Sequence, residues 1–270
     1  MREHRLKKSV RTNNHFNKHL FYFSSSMNSK NSPDKPYDLS LISLLRGFVL
    51  LFLPLIAYFI GLFPIIIGFF YVYEKITILF QGILFSFSLS LLLIISFLLL
   101  VIFESFIPVL IIRLFRIQTK PGEHEITIKN KEFFHHMLFF SLYRPSLQLI
   151  SILPLVPLRS KLVKLGGLTI GKTSLLSGSE LIDEPYGLTI GEHTLIGGLT
   201  TIYAHISDKT LRLKPVTIGN NCFIGNKSII LPGVIIQDEV YVEPGSVILE
   251  DQILKKGKRY AGNPATIVNP

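Results

Sequence analysis

Three patterns of hydrophobic positions follow one another along the chain. Residues 48–70 run for 23 positions without a charged side chain, and residues 76–103 for 28. At 1.5 Å per helical residue the shorter run reaches about 34 Å, enough to cross a hydrocarbon core about 30 Å thick. Pro54, Gly61 and Pro64 would disrupt a helix in water, yet such residues are tolerated in membrane helices. The connection Tyr71, Val72, Tyr73, Glu74, Lys75 is expected to turn the chain at an interface, where amphipathic rings settle. The pattern predicts a two-helix transmembrane hairpin over residues 41–104, with a buried soluble hairpin as the alternative.

Residues 105–164 are apolar but interrupted. Arg113 and Arg116 interleave with Ile, Leu and Phe between 106 and 117, which suits an amphipathic segment on anionic lipid. Residues 133–158 carry His135, His136, Arg144, Pro145, Pro154 and Pro157 within an otherwise apolar stretch. A third span there would carry the following domain to the other side, so interfacial helices are expected, packed against the membrane and that domain.

From residue 165 onward the period changes to six. Ile218, Ile224, Ile230, Ile236, Val242 and Ile248 recur at that spacing, with Val216, Cys222, Ser228, Val234, Val240 and Ser246 two positions earlier. Ile190, Ile196 and Ile202 keep the same interval, as do Ile170, Leu176 and Ile182. Neither a 3.6-residue helix nor a hairpin sheet has this period. A parallel β-helix does: three hexapeptides close one triangular coil, and each coil buries its inner face by stacking on the next. Cys222 then occupies a small inward slot, as a buried hydrophobe rather than a nucleophile. The period breaks twice, at residues 183–187 and at 203–215. The second break expels a polar loop with His205, Asp208, Lys209, Arg212 and Lys214, the kind of segment on which function concentrates.

Composition sharpens this division. Charged residues are 17% and apolar residues 48% of 270, which excludes a disordered chain and argues against a wholly water-soluble one. Residues 1–40 carry eight Lys and Arg against three acids, 41–104 are neutral, and 105–270 carry eighteen against thirteen, so the net charge of +10 has two separate sources. Neither is dense enough to call for nucleic acid. The basic residues flank the hairpin on its open side, which places both termini and the C-terminal domain in the cytoplasm. A cleaved signal peptide does not fit the long basic leader and paired apolar runs. His15 and His19 lie four apart in that leader, but its Asn, Ser, Lys and Pro content favours a solvated tail over a metal site. A single cysteine excludes an intramolecular disulfide framework and any thiolate cluster within one chain.

The hexapeptide coils, the His-bearing loop, the run Pro215, Val216, Thr217, Ile218, Gly219, Asn220, Asn221, Cys222, Phe223, Ile224, Gly225, and the closing Ala261, Gly262, Asn263, Pro264, Ala265 resemble the left-handed β-helix acyltransferases. Maltose, galactoside and polysaccharide O-acetyltransferases carry the nearest pattern. The stretch from Ile182 to Gly191 behind two apolar helices also resembles the membrane-embedded terminal domain of poly-lysine-synthetase-type enzymes. The resemblance implies a mainly β fold: a left-handed parallel β-helix at 165–270, preceded by a leader (1–40), the hairpin (41–104) and an interfacial linker (105–164).

It further implies transfer of an acyl group, most simply acetyl, from coenzyme A to a hydroxyl or amino acceptor. By resemblance His205 is the general base, against the alternative of a surface-loop histidine, and Asp208 is either its orienting partner or a solvated loop charge. Phe223, Gly225, Asn226 and Gly245 correspond to positions lining the pantetheine and thioester. Glu250 stands where the family often has a lysine for coenzyme A phosphate. Lys255, Lys256, Lys258 and Arg259 are either phosphate partners in its place or a solvated basic loop. Acyl-coenzyme A is expected as co-substrate with no bound cofactor. The implied assembly is a homotrimer and the implied acceptor a saccharide or lipid-linked molecule at the membrane. A γ-class carbonic anhydrase would need three zinc-binding histidines, whereas the coils offer only His193 and His205, so no metal is expected. A non-catalytic membrane scaffold with the same coils is the rival, and it has no need of His205.

Overall fold

The computed structural model describes residues 40–268. Two long helices come first, α1 (Leu41–Leu79) and α2 (Gly82–Phe115), each longer than the roughly 20 residues a bilayer requires. Large apolar side chains such as Phe48, Phe59, Ile83 and Phe87 point outward along both. The turn lies at Phe80 and Gln81, not at residues 71–75 as the sequence pattern suggested. Tyr71 to Lys75 include no Gly or Pro, so nothing there stops the helix, whereas Gly82 takes φ +60° and lets the chain reverse. The second helix likewise runs through 105–115, and Arg113 and Arg116 close it rather than sitting on a separate segment. Arg116 is its left-handed C-cap at φ 51°. Gly61 lets the helices meet closely, since a Cβ there would fall 2.7 Å from a carboxylate oxygen of Glu104.

Residues 133–158 resolve into helices that pack against protein. Helix α3 (Lys131–Ile150) starts at Asn130, whose Oδ1 accepts from the amides of Glu132 and Phe133 at 2.9 and 3.1 Å. It buries Phe139, Leu142, Tyr143 and Ile150, while Arg46 of α1 donates to the carbonyl of Ile128 at 2.8 Å and lies over the Phe134 ring. Helix α4 (Val156–Leu165) leads into the coils.

The C-terminal half is a parallel β-helix whose short strands stack into three sheets of five, six and four strands among the described residues. Register follows the six-residue period. Ile190, Ile218, Ile236 and Leu254 stack on one face, Ile196, Ile224, Val242 and Tyr260 on the second, and Ile202, Ile230 and Ile248 on the third. All are buried. The final strand Thr266–Val268 folds back antiparallel on Arg259–Ala261. Because Ile224 is fully enclosed between Ile196 and Val242, Ile224→Ala is expected to cost about 2–5 kcal/mol and Ile229→Ala, on the outward side of the same coil, under about 0.5 kcal/mol. Thermal midpoints measure this, and equal losses at both sites would contradict the inward register.

The expelled loop is an ordered antiparallel hairpin, His205–Ser207 against Leu211–Leu213. Its second strand also pairs with Gly122–His124, from the segment between α2 and α3. Leu211 and Leu213 point inward and Arg212 outward, the alternation of a half-buried strand.

Candidate active site

The first break in the period places a carboxylate beneath the hairpin. Pro185–Gly187 forms a single 3₁₀ turn closed by the Gly187 amide on the Glu184 carbonyl at 2.9 Å. Gly187 is required there, because a Cβ would fall 2.8 Å from that of Ala204. This close approach sets Glu184, almost fully buried, against the start of the hairpin. Its Oε2 accepts from the Ala204 amide at 3.0 Å, and its Oε1 sits 2.5 Å from Nδ1 of His205, a contact without the alignment of a regular hydrogen bond. Burial pushes the Glu184 carboxyl above its ordinary range, while His205 and the Ala204 amide pull it back. With Nδ1 turned to the carboxylate, Nε2 is the nitrogen left to accept a proton.

Helix α3 walls this pair. The His136 ring meets the His205 ring at 4.7 Å and 65°, Phe140 lies 5.5 Å from His205 edge-on, and Tyr203 closes a further side at 6.5 Å. Desolvation, then repulsion from His205 and His124, takes the His136 pKa down to about 3, so this imidazole is neutral at pH 7. Two turns on from His136, Arg144 grips buried Asp183 through Nε and Nη2 at 3.0 and 2.6 Å, fixing the residue beside Glu184. Burial also raises the Tyr143 and Tyr186 phenols, which stay protonated.

The other expected residues fall elsewhere. Asp208 sits at the hairpin tip, bound to the Lys209 and Thr210 amides and 2.9 Å from Arg212, so the carboxylate against His205 is Glu184 instead. Those amides hold the Asp208 carboxyl below its usual range. Phe223 stacks on Tyr241 at 4.6 Å on the outside of the six-stranded sheet, with Arg259 over Tyr241 and bonded to Glu243. Asn226 Oδ1 accepts from the Gly198 amide at 2.9 Å, a tie between coils. A Cβ on Gly225 would fall 2.3 Å from the Pro244 nitrogen, which fixes glycine there, whereas Gly245 takes φ +72° in open space. Glu250 pairs with Lys214 at 2.9 Å and Lys256 with Glu239 at 3.2 Å, while Lys255 and Lys258 project from the last coil. Cys222 is buried, its thiol pushed up by desolvation and turned to the Gln237 carbonyl, and His193 is exposed on a turn. His15 and His19 lie outside the described residues.

Sequence reasoning missed Glu184, His136 and Arg144 as site residues. The period break at 183–187 and the polar interruptions of the 133–158 stretch were their only signals.

The site is therefore an imidazole on a hairpin expelled from a parallel β-helix of hexapeptide coils. Residues 215–250 match the family described as bacterial transferase hexapeptide (six repeats). The chain is 36% identical over 85 residues to a putative acetyltransferase of Bacillus subtilis, covering 31% of this chain and 48% of that protein. It is 29% identical over 135 residues to a putative colanic acid biosynthesis acetyltransferase of Escherichia coli, covering 41% and 73%. A solved hexapeptide-repeat acetyltransferase from Vibrio cholerae is 21% identical with a TM-score of 0.41, covering 50% of this chain and 91% of that one. The chain thus spans about half the length of the Bacillus relative. Its repeat domain is thus similar to hexapeptide-repeat acetyltransferases.

Proposed function

We propose that the protein is a membrane-anchored acyltransferase that moves an acetyl group from coenzyme A to a hydroxyl or amino acceptor, with His205 as general base. The observation that carries this is the contact of buried Glu184 with partly exposed His205 on a hairpin that leaves the coils. Glu184 holds His205 with Nδ1 inward, and Nε2 takes the proton of the acceptor group as that group attacks the thioester carbonyl. The tetrahedral adduct collapses with cleavage of the C–S bond, and the imidazolium returns its proton to the leaving thiolate. Names of relatives that match the coils support acetyl as the group transferred.

The two long apolar helices favour a double membrane crossing, and the basic residues before and after them favour cytoplasmic termini and a cytoplasmic catalytic domain. The acceptor is then a saccharide or lipid-linked molecule at the membrane surface. Phe223, Gly225, Asn226, Gly245 and the basic residues 255–259 lie on other parts of the coils than the hairpin, which favours a homotrimer whose sites form between neighbouring subunits. Coenzyme A titrated into the detergent-purified chain is expected to bind saturably, with Lys255→Ala, Lys256→Ala, Lys258→Ala combined weakening it about tenfold or more by loss of phosphate pairing. Unchanged affinity in the triple variant would place the phosphates elsewhere. No binding of any acyl thioester would remove the donor assignment.

A further inference from the structure

Three polar atoms at the centre of the site lack a regular partner. Nδ1 of His136, Oε1 of Glu184 and Nδ1 of His205 are buried, and none makes an aligned hydrogen bond. One donor atom from each residue lies within 4.8 Å of the others. His136 is 6% and Glu184 1% exposed, so these are not surface groups satisfied by water. We propose that His136, Glu184 and His205 form a binding site for a zinc-class divalent cation whose occupancy silences transfer. The binding stands on the cluster alone; the silencing rests on His205 being the base.

The donor set selects the ion. Two imidazoles and one carboxylate match zinc, while magnesium and calcium favour oxygen ligands. Ligand atoms about 2.0–2.1 Å from a tetrahedral zinc lie roughly 3.3 Å apart, so the ion opens the His205–Glu184 contact from 2.5 Å and draws His136 inward. Ring rotation about the histidine side chains supplies such shifts. The buried Glu184 carboxylate gains the most. Asp183 already occupies the Arg144 guanidinium, leaving Glu184 no cationic partner but the His205 imidazole beside the Ala204 amide. The His205 side chain, 18% exposed, gives the ion access. The sequence offered no such set because the coils hold only two histidines. The third ligand arrives from α3, with 68 positions of chain between His136 and His205.

The test is calorimetric titration of Zn²⁺ into the full detergent-purified chain, in a buffer that does not chelate. One ion per chain is expected, and Co²⁺ in its place should give the visible absorption of a tetrahedral site. Glu184→Gln and His136→Gln should each weaken binding about 10-fold or more, on the scale set by losing a metal ligand or its support. His15→Gln combined with His19→Gln should leave it unchanged. If either single variant folds poorly, the unsubstituted chain still decides, because a bound ion raises the thermal midpoint. No saturable binding and no thermal shift, or binding that survives both single variants, would overturn the site. Zn²⁺ should inhibit acetyl transfer over the concentrations at which it binds. Binding through all three residues with a His205→Ala chain still active would refute the base and spare the site. A His205-dependent activity with no zinc bound would do the reverse.

Discussion

His205→Ala is expected to lower the turnover number about 10²–10⁴-fold while coenzyme A affinity changes little. The imidazole is proposed to act only as the proton moves from acceptor to leaving thiolate, so its removal weakens the transition state and not donor binding. Steady-state kinetics with acetyl-coenzyme A and a direct binding measurement separate the two. A loss confined to KM, or a variant with full turnover, would return the hairpin to a structural role. Glu184→Gln keeps the shape of the side chain but cannot hold an imidazolium with a charge, and should lie between the variant and the unsubstituted chain.

The largest effect on stability is expected away from this pair, where α4 meets the first coil. Arg159, 5% exposed, donates to both the carboxylate and the carbonyl of fully buried Glu180 and, through Nε, to the Ser151 hydroxyl oxygen at 3.2 Å. The other oxygen of Glu180 accepts from the Ser177 hydroxyl at 3.0 Å and the Gly178 amide at 2.7 Å. Removing one partner leaves an uncompensated charge in a dry place, so Arg159→Ala is expected to cost about 3–5 kcal/mol and to lower the thermal midpoint by roughly 2–4 °C for each kcal/mol. Arg159→Met with Glu180→Gln removes both charges and should lose less than the single alanine. A single variant that melts with the unsubstituted chain would show the pair to be idle.

How much of this was legible in the sequence depends on the distance over which each feature is decided. The coils are a local rule repeated, and inward Ile218, Ile224 and Ile230 announce their own stacking because each needs only the next coil. The long helices were equally plain as apolar runs. Their turn was misplaced because Glu74 and Lys75 look like a boundary when only charge is counted, although the backbone there has no reason to break; Gly82 supplies that reason. The site was half visible. His205 stood out on a loop that interrupts the repeat. Asp208, three residues along, was read as either its orienting partner or a solvated loop charge; the hairpin tip makes it the latter, and the carboxylate facing the imidazole comes from the preceding coil. His136 had no periodic signal, since its place is set by how α3 packs on the coils.

The strand pairing of Gly122–His124 with the hairpin bears on where this protein can be divided. The repeat begins near residue 165, and a cut there looks harmless on the sequence. It would discard the strand that braces His205 and the helix that walls it. The working unit therefore starts upstream of its own repeats, just beyond the last turn of α2, and the two long helices and the proposed base are joined by one short, folded stretch of backbone. With the helices in a bilayer, as proposed, their displacement would be felt at the imidazole as a mechanical load, and the proposed anchor would be a moving part of the machine as well as its mooring.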